Sequence, residues 1–348
     1  MHEVFMRYLL YILFLPILFI SCTEDSNDDF LTPKPKLTII MSINGLGDMG
    51  YNDKIMSGIM KFYDNYEIEM NLIHPESETE VETHIYDWLQ NSRDNKNSLL
   101  LLADSEYEKY VLDKDITLTE NQKILLFESK KTNLACGISS FYINRYGVSY
   151  LAGCMAGEHN SATIIAAMPN NSLLEESING FTDGYNSITK KDVDVIYLSK
   201  DESGFSKPDL AFQTTGDIEN SFIFPLAGGS NSGIYKYSRE TPFYLSLIAG
   251  MDTDCSLFSP RIPFSVVIHI DKLVFQYLSE WYNGNEWEKN KVYGLKDGFT
   301  DIAISPVFYN RLSVWEDYYD NPDYWSNVYS LYKEEAKEKE EKYELGEI

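Results

Sequence analysis

The stretch Gly45-Leu46-Gly47-Asp48-Met49-Gly50-Tyr51-Asn52-Asp53 holds residue types that can do chemistry at close quarters. Its glycines match GxGxxG, a pattern that can cradle a pyrophosphate on backbone N–H groups at a helix N-terminus. The carboxylates argue against that use. Asp48 lies inside the loop and Asp53 at the helix start, and each would oppose a phosphate there. Asn52 and Asp53 also read as N-caps of the helix that follows. An uncharged ligand that donates hydrogen bonds suits this loop better than a nucleotide. Three further points share its character, each a polar or glycine group closing an apolar run: Asp104 after Ser98–Ala103, Gly228-Gly229 after Ser221–Ala227, and Asp252 after Tyr244–Ala249.

Reaction chemistry finds no comparable pattern. His2, His74, His84, His159 and His269 form no HExxH or other ligand spacing, no GxSxG elbow occurs, and no P-loop lysine follows either glycine loop. Cys22, Cys136, Cys154 and Cys255 include no CxxC pair; if Cys22 is modified, the other three cannot all pair internally and read as buried apolar residues. Neither catalysis, a metal nor a cofactor is expected. The formal net charge of −25 repels a phosphate backbone, which argues against nucleic acid as a partner.

The elements that position these groups alternate between strand and helix. Leu37–Ile43 reads as a buried strand, and Ile55, Met56, Ile59, Met60 and Tyr63 recur at helical steps behind the loop. Strands are expected at Glu67–Ile73, Ser98–Ala103, Lys123–Phe127 and Leu134–Ser139, with helices at Glu80–Gln90 and Tyr142–Glu158. A second series begins with strands at Ala162–Met168, Asp192–Leu198, Ser221–Ala227 and Tyr244–Ala249 around a helix at Leu173–Ile188. Ser265–Gly284 supplies a strand end and a helix. Repeated βαβ units imply parallel sheets, and two such series imply two similar lobes of an α/β protein. In the tail, the run Lys333–Lys342 is entirely Lys, Glu and Ala, which predicts a solvated helix. The aromatic Trp315–Trp325 before it could touch a partner.

The N-terminus is organised differently. Arg7 precedes an apolar run, Tyr8–Ile20, closed by Ser21-Cys22, which fits a signal-peptide h-region better than a membrane span. Ending on Cys resembles a bacterial lipoprotein signal, with Phe19 where Leu is usual; the resemblance implies lipid on Cys22. The polar segment after it, up to Lys36, reads as a flexible tether. Its acidic run Glu24-Asp25-Ser26-Asn27-Asp28-Asp29 resembles the surface-export signal of Bacteroidetes lipoproteins.

Several motifs, in order, carry a family resemblance. Gly45–Asp53 resembles the GxGDxGFND signature of basic membrane protein (BMP) family lipoproteins, which include purine nucleoside receptors that serve ABC transporters. Tyr150-Leu151-Ala152-Gly153 resembles the family's YLAG helix, Gly180-Phe181-Thr182-Asp183-Gly184 its GFxxG segment, and Ala227–Gly233 its AGGTGxG loop. Gly250–Asp254 resembles GVDxDQ, and Gly294–Gly298 the late GLxxG turn. The resemblance implies a type I periplasmic binding protein fold, two Rossmann-like lobes joined by three crossovers. It implies a lobe of residues 37–140 plus about 258–285, a second of 141–257 plus about 286–330, and a charged tail at 331–348. It also implies that Tyr51 stacks on a base, Asn52 and Asp104 bond its edge, Phe205 forms the opposing wall, Gly228 and Gly229 admit backbone to the ligand, and Asp252 binds ribose hydroxyls. Two departures bear on specificity. Ile268 stands where the family has a sugar-binding Lys, and Arg145 and Tyr146 stand near its missing acidic residue. The expected protein is an envelope-anchored, non-enzymatic solute-binding protein with a transporter permease as partner. The other reading is a surface lipoprotein with a degenerate pocket used for protein or glycan contact.

Overall fold

In the computed structural model, residues 33–112, 114, 116–219, 221–241, 246–306, 308 and 323–348 are described. The first series builds β1 (Lys36–Met41), α1 (Tyr51–Tyr63), β2 (Glu69–Ile73), α2 (Glu78–Asn91), β3 (Ser98–Ala103), β4 (Gln122–Phe127) and β5 (Ile138–Ile143). Every residue of β3 is buried, as expected for a strand covered by helices on both faces. The chain then crosses to α3 (Tyr146–Met155), β6 (Ala162–Ala166), α4 (Ser172–Thr189), β7 (Asp194–Tyr197), α5 (Pro208–Gly216), β8 (Phe222–Leu226), α6 (Asn231–Glu240) and β9 (Leu247–Ile248). After β10 (Phe264–Ile268) come α7 (Ile270–Tyr282), β11 (Asn290–Tyr293), β12 (Thr300–Ile304) and α8 (Tyr324–Glu344).

The first sheet runs β11-β5-β4-β3-β1-β2, with all its neighbours parallel. The second runs β7-β6-β8-β9, also parallel. Antiparallel β10 and β12 extend it through a bridge between Gly250 and Ser265. Each sheet carries its own cores. Ile39, Ile55, Phe62, Leu101 and Trp281 pack in the first lobe, and Leu151, Phe181, Phe222, Phe224 and Phe264 in the second.

Several expectations are corrected. The fifth strand starts at Ile138 rather than Leu134, because Ala135–Ile138 forms a turn closed by an Ile138 N–H to Ala135 bond of 3.2 Å, with Gly137 at φ 82°. Tyr142 therefore belongs to that strand. The helix begins at Tyr146, whose N–H bonds the Asn144 side chain at 3.0 Å. The segment ending at Ala249 forms only the two-residue β9, and Tyr244 lies outside the described residues. β11 falls in the first sheet and β10 on the second, although residues from about 286 were expected in the second lobe and those from about 258 in the first. The charged run is not all solvated: within α8, Ala336 and Glu340 are buried against the second lobe's core. Of the cysteines, Cys154 and Cys255 are buried, Cys136 is exposed, and Cys22 lies outside the described residues, as do Trp315–Pro322 of the aromatic tail.

Candidate functional site

The carboxyl ends of the strands of both sheets converge on one cavity of about 430 Å³. In open α/β sheets this is where ligands bind, since loops there are free to vary while the strands hold them rigidly. Tyr51, Asn52, Asp104, Phe205, Gly228, Gly229 and Asp252 all line it. They come from five separate loops, so only the fold brings them together. Ile268 lines it too, at the end of β10.

The glycine loop has already satisfied its own backbone. Asp48 accepts the N–H groups of Gly50 (2.9 Å), Asn52 (2.9 Å) and Asp53 (3.2 Å). Asp53 reaches back to the N–H groups of Gly47 (2.8 Å) and Met49 (2.9 Å). Internal carboxylates thus fill the place of an anionic ligand at this helix start. Asn52 and Asp53 are not the caps: α1 begins at Tyr51 with Gly50 at the N-cap position, and the Asp48 carboxyl accepts N–H groups of its first turn from upstream. That leaves the Asn52 side chain facing the cavity. Burial raises the Asp48 carboxyl above its ordinary range, against the lowering effect of its N–H partners.

Tyr51 is pinned. Its hydroxyl donates to Glu128 Oε1, and the Arg145 guanidinium sits 5.6 Å from its ring centre. Arg145 holds Glu128 in a two-point pair, Nη2 to Oε1 at 2.7 Å and Nη1 to Oε2 at 3.1 Å. Nη1 also donates to the Ile143 carbonyl at 2.6 Å, and the Ile143 N–H returns to Glu128 Oε2 at 3.0 Å. Both charges are buried, and such a pair holds its geometry because removing either partner strands the other. Burial, then the Glu128 charge, pushes the Tyr51 hydroxyl far above its usual range, so it stays a donor.

Asp104 follows β3 and accepts the Glu106 N–H at 2.9 Å; burial raises its carboxyl. Across the cleft, Phe205 presses on Gly228, where a Cβ would lie 2.9 Å from the ring. Gly228 has φ 53°, which other residues rarely adopt. A Cβ on Gly229 would meet the Phe205 carbonyl at 3.2 Å and the Asp48 Cα at 3.7 Å. The two glycines thus admit Phe205 and the opposite lobe's loop as well as facing the cavity.

Asp252 has φ 67°, a left-handed conformation that Asp tolerates better than most residues. Its backbone carbonyl accepts the Ile268 N–H at 3.1 Å. No donor among the described residues reaches its carboxyl. Burial first, then the Asp48 charge, pushes it up to about 7, with Arg145 opposing. Asp252 and Asp48 belong to different lobes, and a Cβ on Gly50 would lie 3.0 Å from Asp252 Oδ2, so the lobes meet here.

Sequence reasoning missed Glu128 and Arg145 as wall residues. Among the lining residues Arg145 is the cation, and it stands on the first crossover rather than on β10. The unusual Arg before the helix was a visible signal; its partner was not.

Residues 36–329 match the Bmp family, described as ABC transporter substrate-binding protein PnrA-like. The chain belongs to this family. No curated protein sequence matches it. Among solved structures, it resembles a solute-binding protein of an ABC transporter system from Aeropyrum pernix K1 at 17% identity and TM-score 0.67, over 90% of this chain and 92% of that one. A transcriptional activator of the comK gene from Bacillus halodurans is similar at 17% identity and TM-score 0.60, over 86% and 97%. A periplasmic binding protein/LacI transcriptional regulator from Alkaliphilus metalliredigens QYMF, complexed with D-xylulofuranose, aligns at 14% identity and TM-score 0.55, over 77% and 97%. These likenesses establish the type I periplasmic binding protein fold. The family places the chain among extracytoplasmic substrate-binding proteins, whose partners are a small solute and a transporter. Among the described residues, no helix is long and apolar enough to cross a membrane.

Proposed function

We propose that this Bmp-family protein is a lipid-anchored receptor for a nucleoside or a similar neutral, ring-bearing solute, delivering it to an ABC-type importer. The observation that carries the reading is the convergence of all seven expected residues on one cavity whose anion-binding backbone is already occupied by Asp48 and Asp53. In this reading Tyr51 and Phe205 face the two sides of a base, since aromatic faces stack in offset geometry. Asn52 and Asp104 meet its polar edge. Asp252, whose carboxyl meets no donor among the described residues, accepts two sugar hydroxyls. Lipid on Cys22 tethers the binding unit to the envelope through the segment up to Lys36.

A thermal-shift panel of adenosine, guanosine, inosine, uridine, free bases and sugars tests the ligand. A true ligand at one hundred times its Kd adds about 2.7 kcal/mol to stability. A panel in which nothing moves the midpoint refutes the nucleoside reading. For the anchor, cells grown with labelled palmitate should label the protein, and Cys22→Ala should lose the label; a variant that keeps it would refute lipidation at that residue.

A further inference from the structure

The chain passes between lobes at three places: from β5 to α3 (Ile143 to Tyr146), from β10 to α7 (Ile268 to Ile270), and from β11 to β12 (Tyr293 to Thr300). Closure of two lobes over a ligand must bend these segments. The first and third are joined by a residue from neither. Glu340, on α8, is 4% exposed. Its carboxyl accepts the Leu295 N–H at 2.9 Å (Oε1) and 3.2 Å (Oε2), and the Lys296 N–H at 3.4 Å, both on the third crossover. The same carboxyl lies against Gly147, the second residue of α3 and the first past that crossover, where a Cβ would fall 2.5 Å from Oε2. A Cβ on Gly294 would overlap Oε1. Two glycines therefore form a slot, and one carboxylate fills it.

The surrounding contacts hold α8 in place across both segments. Tyr343 stacks on Tyr146 with ring centres 4.2 Å apart and planes 11° from parallel. Tyr150 donates to Glu335 at 2.7 Å, and Lys333 pairs with Asp301 at 3.0 Å. Glu340, Tyr343 and Glu335 all lie beyond residue 329, where the family match ends. The strut thus lies outside the matched segment, on this chain's C-terminal helix.

We infer that Glu340 is a positioning residue for the interlobe site: by bridging the first and third crossovers it limits the range of lobe angles and pre-sets the cavity. The consequence for binding rests on the family's solute-binding role, but the geometry is independent of which solute binds.

The test is an interlobe distance measured by double electron–electron resonance, without ligand. Spin labels go on Tyr86→Cys in the first lobe and Leu257→Cys in the second, both strongly exposed, in a Cys136→Ser background. Glu340→Ala removes the bridge, and the distance distribution should broaden at least twofold. Glu340→Gln keeps an acceptor oxygen for the Leu295 N–H and should retain a narrow distribution. A merely structural role would lower the melting midpoint of Glu340→Ala and leave the distance distribution unchanged, and that result overturns the inference. So does a Gln variant as broad as the Ala variant, which would show that the acceptor is not the operative feature. Should Glu340→Ala fail to fold, Tyr343→Ala carries the test. It loosens α8 without stranding a backbone donor, and it should broaden the distribution; a folded Tyr343→Ala with an unaltered distribution overturns the inference equally. Because no ligand is present, failure of the nucleoside reading and failure of the strut remain separate results.

Discussion

Asp252 and Arg145 set the chemistry of the cavity between them. Asp252 has a folded-state value of about 7, above its ordinary 3.8, chiefly through burial. Between those values the folded protein holds a proton that the unfolded chain has released, so the stability this group contributes is lost as pH rises toward 7. Glu340, also raised to about 7 by burial, adds to the same slope. Asp252→Asn should flatten part of the pH dependence of the urea midpoint between pH 4 and 7, and an unchanged slope would count against the raised value. Asn is the fitting replacement because, like Asp, it tolerates the φ of 67°. If sugar hydroxyls donate to this carboxyl, they stabilise its ionised form. Binding should then release a proton and tighten as pH rises through about 7, and Asp252→Asn should lose that dependence in calorimetry across buffers.

Arg145 gives a second prediction at this scale. It neutralises Glu128 in the cavity wall, and both are buried. Arg145→Met strands the Glu128 charge and should cost about 3–5 kcal/mol in urea unfolding. Adding Glu128→Gln should recover a large share, because the stranded charge is then gone. A single variant that loses under 1 kcal/mol, on the order of an exposed pair, would mean that the pair is effectively solvated.

Among the elements, α3 and α4 pack through their glycines. A Cβ on Gly153 would overlap the Phe181 carbonyl, one on Gly180 the Tyr146 carbonyl, and one on Gly184 the Tyr150 carbonyl. Gly184→Ala must push two backbones apart in a filled core, at a cost of about 1–3 kcal/mol by chemical denaturation. A neutral result would show that the helices are free to separate. These glycines stood out in the sequence only within the YLAG- and GFxxG-like segments, which do not tell that the two helices meet through them. The loop and the start of α1 were legible because their spacing is local, although the capping carboxylate was misassigned from Asp48 to its neighbours. The Glu128–Arg145 pair was not, since its partners lie 17 residues apart and meet only when β4 and β5 align in the sheet. The run within α8 was misread because its composition is that of a solvated helix. Only Ala336 and Glu340, one helical turn apart, carry its buried face, and no property of a charged residue announces that it will fill a slot between two glycines.

For the whole molecule, charge decides what can enter. Among the described residues the cavity is lined by Asp48, Asp104, Glu106, Glu128, Glu202 and Asp252 against one guanidinium, that of Arg145, and the chain as a whole carries −25. A phosphate added to a bound nucleoside would bring negative charge into this enclosure, where the N–H groups of the first glycine loop are already taken by Asp48 and Asp53. At a separation of about 6 Å and an effective dielectric of about 20, one such repulsion is about 3 kcal/mol, roughly a hundredfold in affinity. A nucleoside 5′-monophosphate should therefore bind at least tenfold more weakly than its parent nucleoside in a side-by-side titration. Two contributions to this penalty differ in their response to salt. Repulsion by the distant surface charge is screened beyond about 10 Å at 0.1 M ionic strength, whereas repulsion inside the cleft is screened much less. Raising the salt should thus narrow the gap between nucleoside and nucleotide without closing it. A gap that vanishes at high salt would place the discrimination on the surface. A nucleotide that binds as tightly as its nucleoside at low salt would mean that Asp48 and Asp53 yield the loop's N–H groups to phosphate after all.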